Sequence, residues 1–264
     1  MRKLEHAYFD LDGTLYPGNT KRFSQRMVHA LAGIPQWGVN TARQRTSIGK
    51  VLGEITPTLP HIAKWGTEVW NQSGELLQGF TLSTREKSQA ALTLALYPNL
   101  IVTVKKLGDS NKSVWVSDAE WTASAGYRAS LSQDDVLHER IESLLRDIAH
   151  SSVSLIIFQT NNPGLLDQIV SNPQLNQLQQ IGKRSILLKP EGITKGSTLN
   201  WVCGELDIDP ETMLTAGNEV VDATMFEGTY GVRVGPEVLP NEKIIVPDSE
   251  ALAQLLIQLF APNT

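Results

Sequence analysis

A short apolar run near the N-terminus, Ala7-Tyr8-Phe9, stops abruptly at Asp10. A continuous apolar run of this length is typical of a strand that is covered on both faces, as in a parallel sheet. Parallel strands are joined by crossover connections, which are usually helices, and apolar residues recur at helical spacing over residues 23–31. The N-terminal segment therefore predicts the start of an α/β fold.

The same alternation of strand and helix returns in the last third of the chain. Residues 195–206 and 249–260 have helical apolar spacing, and short apolar runs lie at 213–216, 231–234 and 244–246. The middle of the chain does not continue this regular alternation of strand and helix. We therefore predict a doubly wound, mainly parallel, Rossmann-like α/β core over 1–78 plus 187–264, interrupted by an inserted α+β cap domain over 79–186.

Within the insert, turn and cap signals divide the chain into elements. Ser83-Thr84-Arg85-Glu86 matches a capping box and predicts a helix that continues to about Ala95. Ser132-Gln133-Asp134-Asp135 predicts a second helix start, with an apolar stripe that begins at Val136. The run Val153 to Phe158 predicts a strand.

Composition excludes several classes of protein. The formal charge is −5, which argues against a nucleic-acid binder because these usually carry a basic excess. A single cysteine, Cys203, excludes a disulfide framework within the chain. The longest apolar runs are far shorter than a membrane span, and Asp10 and Asp12 interrupt the first one, so no signal peptide is predicted. We expect a cytoplasmic protein with no membrane partner.

Two acids, Asp10 and Asp12, end the first predicted strand. Open α/β sheets place their ligand crevice at the carboxyl ends of strands. Carboxylates beside an apolar run need a partner, and a divalent cation such as Mg²⁺ is a suitable one. The alternative is an ordinary solvated turn, and the spacing alone leaves both interpretations open.

The stretch Asp10-Leu11-Asp12-Gly13-Thr14-Leu15 resembles the first motif of the haloacid dehalogenase superfamily. Further stretches follow in the order of that superfamily's motifs: Thr41-Ala42-Arg43, Gly192-Ile193-Thr194-Lys195-Gly196 and Ala216-Gly217-Asn218-Glu219-Val220-Val221-Asp222. The segment 61–68 resembles the one that precedes a large α+β cap, of type C2, in one branch of the superfamily. Within that branch the sequence is most similar to the sucrose-phosphate-phosphatase-like group.

The resemblance implies a role for each residue of the first motif. Asp10 would be the nucleophile that forms an aspartyl-phosphate. Asp12 would protonate the leaving alcohol and later deprotonate the attacking water. Gly13 and Thr14 would bend the chain so that backbone N–H groups approach the phosphate.

The second and third motifs imply further phosphate contacts. Thr41, with Ala42 beside it, would bind a phosphoryl oxygen, and the alternative for Thr41 is a helix N-cap. Lys195 would neutralise charge on the phosphoryl group and on Asp10. The alternative for Lys195 is an exposed lysine near a helix start.

The fourth motif departs from the family pattern. The resemblance implies that Asp10, Asp12, Asn218 and Asp222 hold Mg²⁺, but Asn218 stands where relatives have an acid and Val221 where they have Asn. An amide oxygen carries no charge, so the affinity for Mg²⁺ should fall. Glu219 could substitute for the missing acid.

In the insert, Lys112, Asn161 and Asn162 lie near strand ends and turns, where they could contact the hydroxyl groups of a sugar. The alternative for the two asparagines is that they only form a turn.

The resemblance as a whole implies a Mg²⁺-dependent phosphatase that acts on a small phosphorylated sugar or polyol. Two alternatives remain. One is a phosphomutase that returns the phosphoryl group to another hydroxyl. The other is a catalytically weakened binding or regulatory protein, which the departure at Asn218 would explain.

Overall fold

The computed structural model describes residues 3–18, 20, 22–108, 111–118, 120 and 131–260. It divides into two compact units. The first comprises Met1–Gln78 and Gly192–Thr264, and the second comprises Gly79–Glu191.

The helices of the described residues are α1 (Gln25–Ala32), α2 (Arg45–Leu52), α3 (Thr84–Leu96), α4 (Ile141–His150), α5 (Pro163–Val170), α6 (Lys195–Glu205) and α7 (Ser249–Phe260). Short 3-10 helices lie at Lys64–Gly66, Pro173–Leu175, Pro210–Thr212 and Val220–Phe226. The strands of the first unit are β1 (His6–Phe9), β2 (Gln36–Val39), β3 (His61–Ala63), β4 (Glu68–Trp70), β5 (Leu76–Gly79), β12 (Met213–Gly217), β13 (Tyr230–Val234) and β14 (Ile244–Val246). Those of the second unit are β6 (Ile101–Lys106), β7 (Lys112–Val116), β8 (Val136–Leu137), β9 (Val153–Gln159), β10 (Gln179–Gln180) and β11 (Ser185–Leu188).

The first unit is built on a five-stranded parallel sheet in the order β14-β13-β12-β1-β2. From β1 the chain moves to β2 on one side, and it later returns to β12 on the other side. Strand order therefore reverses around β1, which is the position where open α/β sheets form a ligand crevice. The predicted parallel core is confirmed.

Both faces of this sheet are covered by helices. Ala7 and Phe9 of β1 pack in a cluster with apolar residues of α1 and α7, and Tyr8 packs in a second cluster with residues of α6. Successive side chains of a strand point to opposite faces, so one strand contributes to two cores. This arrangement explains why the β1 sequence is continuously apolar.

A left-handed turn at Lys64–Gly66 connects segments of the first unit that are distant in sequence. Lys64, Trp65 and Gly66 all have positive φ angles, of 49°, 56° and 95°. A Cβ at Gly66 would lie 2.5 Å from the backbone oxygen of Thr194, so only glycine fits there. The oxygen of Gly66 accepts a hydrogen bond from Thr198 Oγ1 at 2.7 Å. The turn thus packs directly on the first turn of α6.

The second unit contains a six-stranded sheet in the order β10-β11-β9-β6-β7-β8, antiparallel except for the β7–β8 pair. Apolar residues of α3, α4 and α5 pack in a cluster with this sheet. The predicted capping box at α3 is confirmed, because Ser83 Oγ accepts from Glu86 N and Ser83 N donates to Glu86 Oε2.

The predicted helix start at Ser132–Asp135 is wrong. Val136 and Leu137 form β8 beside β7, and α4 begins only at Ile141. The Asp135 carboxylate accepts from the backbone N–H groups of Ser132 and Lys112 at 2.8 and 3.1 Å, so it closes a turn rather than a helix. None of the helices in the described part of the chain is both long and apolar enough to cross a lipid bilayer.

Candidate active site

The carboxyl ends of β1, β2 and β12 meet the first turn of α6. Asp10 directly follows β1, and its backbone N–H donates to Ala216 of β12 at 2.9 Å. Helix α6 begins at Lys195 because Thr194 caps it, with Thr194 Oγ1 accepting from Ser197 N at 2.9 Å. The predicted residues of the first, third and fourth motifs therefore share one edge of the sheet.

A buried cluster of charges forms where these elements meet. Lys195 Nζ donates to Asp10 Oδ1 at 2.7 Å and to Asp222 Oδ1 at 2.6 Å. The exposed fractions of Asp10, Lys195 and Asp222 are 6%, 4% and 0%. One ammonium is therefore held between two carboxylates with almost no access to solvent.

Burial has a strong effect on the protonation of these groups. It raises the pKa of Asp10 to about 7; the Asp222 carboxylate adds to this rise and the Lys195 ammonium opposes it. Burial also disfavours the charged form of Lys195, but the two carboxylates outweigh it and raise the lysine pKa. When Asp10 is ionised, the cluster therefore has an excess of negative charge that one ammonium does not neutralise.

Asp12 lies in a different environment from Asp10, although only one residue separates them. Arg43 Nε donates to Asp12 Oδ2 at 2.6 Å and Arg43 Nη2 donates to Oδ1 at 2.7 Å. Tyr16 adds a hydrogen bond from its hydroxyl to Oδ1 at 3.0 Å. The Asp12 side chain is still 43% exposed. This guanidinium fork fixes the orientation of an accessible carboxylate.

Gly13 and Thr14 contact the fourth motif. Gly13 has a φ of +80°, and a Cβ there would lie 2.6 Å from Asn218 Nδ2, so a side chain would both strain the backbone and displace Asn218. Thr14 Oγ1 donates to Asn218 Oδ1 at 2.9 Å. The amide of Asn218 is therefore held against the loop that follows β1.

Asp222 organises the backbone of the same motif. Its Oδ2 accepts from the backbone N–H groups of Asn218 and Glu219, each at 2.9 Å. A Cβ at Gly217 would lie 2.3 Å from the Cβ of Asp222, so glycine is required beside it. Burial, and then the nearby Asp222 carboxylate, raise the pKa of Glu219.

Thr41 follows β2 and is fully buried. Its N–H donates to Ile62 at 2.9 Å, and its Oγ1 accepts from Arg43 N at 3.3 Å. The helix N-cap interpretation of Thr41 is wrong, because α2 begins at Arg45 with Gln44 in the cap position. Thr41 and the neighbouring Ala42 lie instead on the loop that carries Arg43 to Asp12.

The other predicted binding residues lie in the second unit. Lys112 Nζ is 3.6 Å from Asp135 Oδ2. Asn161 donates to the buried Glu120 through both its backbone N–H and its side-chain amide, and Asn162 Oδ1 accepts from Gly164 N at the start of α5. These bonds give both asparagines a structural role. Their contact with a substrate stays a prediction.

Sequence reasoning assigned no role to Arg43, Tyr16, Asn40 or Glu120. The position of Arg43, two residues after Thr41, indicates only the same sheet edge as the acids, and its contact with Asp12 could not be predicted from that. Tyr16 is positioned by the turn after β1, where Gly13 N donates to Tyr16 O at 3.0 Å. No sequence pattern identifies that bond.

The donor groups fit a divalent cation. Asp10 and Asp222 offer carboxylate oxygens, Asn218 offers an amide oxygen, and the excess negative charge would be reduced by a cation. No group of three or more His, Cys, Asp or Glu side chains is arranged as a metal cluster in the described residues. A cation here would therefore depend on amide or backbone oxygens as well as on the two carboxylates.

Comparison with known proteins agrees with the fold described above. The sequence profile of haloacid dehalogenase-like hydrolases matches residues 7–237. A phosphatase of the haloalkanoate superfamily from Bacteroides thetaiotaomicron is 14% identical, with a TM-score of 0.77 over 97% of this chain and 95% of that one. A protein from Thermotoga maritima is 17% identical, with a TM-score of 0.77 over 97% of each chain.

A third solved structure, described as a subclass IIB sugar phosphatase, is 12% identical, with a TM-score of 0.75 over 96% of this chain and 98% of that one. Among curated proteins, no sequence matches this chain significantly. At these identities the likeness to solved structures establishes the fold, including an inserted second unit, rather than a substrate.

Proposed function

The chain belongs to the haloacid dehalogenase-like hydrolases, and we propose that it is a phosphatase that hydrolyses a small phosphorylated sugar or polyol through phosphorylated Asp10. The observation that carries the proposal is the buried cluster in which Lys195 bridges Asp10 and Asp222 at 2.7 and 2.6 Å. A lysine in this position can stabilise negative charge that develops on a phosphoryl group attached to Asp10.

In the first step, a carboxylate oxygen of Asp10 bonds to phosphorus and the bond from phosphorus to the leaving oxygen breaks. For this step Asp12 must first bind a proton on an oxygen that no longer accepts from Arg43, and it then gives that proton to the leaving oxygen. In the second step water attacks phosphorus, Asp12 takes the proton from that water, and phosphate leaves Asp10. One side chain thus serves as acid and then as base.

We propose that Asp10, Asp12, Asn218 and Asp222 hold Mg²⁺. When bound, Mg²⁺ would neutralise charge on the phosphoryl oxygens. Thr41 and the N–H groups near Gly13 and Thr14 would contact the phosphoryl oxygens. We propose that the first unit, predicted over 1–78 plus 187–264, is catalytic and that the second, predicted over 79–186, selects the substrate; the chain returns to the first unit at Gly192. We also propose a specificity like that of the sucrose-phosphate-phosphatase-like group.

The test is phosphate release from sugar 1-phosphates, sugar 6-phosphates, sucrose phosphate and polyol phosphates, with Mg²⁺ titrated against an EDTA control. We expect turnover of at least one ester that needs Mg²⁺. Isomer formation without net phosphate release would identify a phosphomutase instead. Ligand binding without any turnover would identify a binding protein and contradict the proposal.

Replacing Asn218 by Asp is expected to lower the Mg²⁺ concentration needed for half-maximal activity by about tenfold, because carboxylate binds hard cations better than amide does. Calorimetric titration of the variant with Mg²⁺ checks the affinity without reference to turnover. Asn176→Asp, at an exposed position of the second unit, controls for added charge. An unchanged Mg²⁺ affinity would remove Asn218 from the metal site.

A further inference from the structure

Asn40 is a buried polar residue at the edge of the candidate site. It directly follows β2, and its backbone N–H donates to Phe9, the residue before Asp10, at 2.8 Å. The residue has no exposed surface. Its side chain is therefore fixed next to the strand that carries the nucleophile.

The amide of Asn40 reaches a helix that is distant in sequence. Nδ2 donates to the backbone oxygen of Lys195 at 2.9 Å, across 155 residues. Lys195 is thus held at both ends: its backbone by Asn40 of the β2 edge, and its ammonium by Asp10 and Asp222. Fixing its backbone reduces the range of positions available to this long, flexible side chain.

The other end of the Asn40 amide contributes no hydrogen bond within the described part of the chain. Oδ1 is buried and accepts no hydrogen bond among the described residues. Leaving a buried acceptor unsatisfied reduces stability, and an apolar side chain of similar size would avoid this cost. An asparagine here therefore needs an explanation other than stability.

We propose that Asn40 is a positioning residue for Lys195, whose amide holds the first residue of α6 so that the ammonium stays between Asp10 and Asp222. This inference rests on the proposed function. Two further contacts fix the same helix turn, since Gly196 N donates to Thr224 Oγ1 at 3.0 Å and Thr198 donates to Gly66. Asn40 differs from these because it acts on Lys195 itself.

The test compares Asn40→Leu and Asn40→Ser with Tyr8→Phe. Tyr8 is also buried, and its hydroxyl donates to the backbone oxygen of Pro60 at 2.9 Å. Tyr8→Phe therefore also removes one buried hydrogen bond, as the Asn40 variants do. Asn40→Ser is included in case the leucine does not fit. Thermal unfolding of all three establishes which variants are folded.

In a folded Asn40 variant we expect kcat to fall by about 10- to 100-fold, because a displacement near 1 Å can cost that much in rate. KM should change little. Inhibition by orthovanadate, which mimics pentacoordinate phosphorus, should weaken by a similar factor to kcat/KM. Tyr8→Phe should retain kcat. A folded Asn40 variant with kcat within twofold of the wild type would overturn the proposal.

A second measurement does not depend on turnover. Lys195 and Lys64 are both buried, so an amine-acylating reagent followed by peptide mass spectrometry should label each slowly. Substitution of Asn40 is expected to increase labelling at Lys195 and not at Lys64. Unchanged labelling, or an equal increase at both lysines, would contradict specific positioning. If the wild type hydrolyses no phosphate ester, the proposed function fails, and labelling alone decides the role of Asn40.

Discussion

Replacement of Asp10 by Asn is expected to abolish turnover while the protein remains folded. The amide cannot attack phosphorus, and removal of a covalent nucleophile typically costs at least about 1,000-fold in rate. The measurement is phosphate release from the best substrate under saturating Mg²⁺. Asp248→Asn is the matched control, because Asp248 is an exposed acid of the same unit that caps α7 through Ala251 N. Residual activity above about 1% would exclude Asp10 as the nucleophile.

The Asp10→Asn variant is also expected to differ from the wild type in how its thermal stability depends on pH. Burial raises the pKa of Asp10 from 3.8 to about 7, so in metal-free protein the folded state holds this proton more tightly than the unfolded state does. The stabilisation is fully present below pH 4 and is lost as pH rises through 7. Relative to wild type, Asp10→Asn should therefore gain thermal stability between pH 4 and pH 8 in EDTA. A constant difference in Tm over this range would contradict the raised pKa.

Replacement of Lys195 by Met is expected to abolish turnover and also to destabilise the fold. Asp10 and Asp222 would lose the ammonium that lies 2.7 and 2.6 Å from their oxygens. Breaking a buried ion pair from one side typically costs about 3–5 kcal/mol. Chemical unfolding at pH 8, above the pKa of about 7 that Asp10 has in the wild type, measures this loss. Lys50→Met, at an exposed lysine of α2, should change neither property.

A double variant separates the two effects of this lysine. Lys195→Met combined with Asp222→Asn removes one of the two carboxylates that the first change leaves unpaired. Part of the lost stability should return, whereas activity should not. A double variant that is less stable than Lys195→Met alone would show that charge compensation is not what Lys195 contributes to the fold.

The parallel core could be predicted because its sequence is unambiguous. Ala7, Tyr8 and Phe9 are apolar on both faces of β1, and the structure buries them in two separate clusters. Asp10 and Asp222 are predicted to lie near each other because the resemblance to the superfamily implies that both hold Mg²⁺. The resemblance to the third motif predicts Lys195 at a helix start, and the structure shows that Thr194 caps this helix.

The surroundings of Asp12 could not be predicted in the same way. Arg43 reaches Asp12 because the loop after β2 turns back beside the loop after β1, and irregular loops have no periodic sequence pattern. The wrong prediction of a helix start before Val136 has a related cause. Asp135 and Ser132 are helix-cap residue types, but the Asp135 carboxylate bonds to Lys112 N, a residue of β7. A long-range contact outweighed a local preference.

The bridge between Asp10 and Lys195 has a consequence for how the protein is made. The two residues are 185 positions apart, and β12, the neighbour of β1 on one side, is synthesised after the whole second unit. While the ribosome is still producing that unit, β1 has only β2 available as its partner in the sheet, and Asp10 has no ammonium. Because domains generally fold as units during synthesis, the inserted unit is able to fold first. The charges of Asp10, Lys195 and Asp222 are then brought together last, after the chain has returned to the sheet.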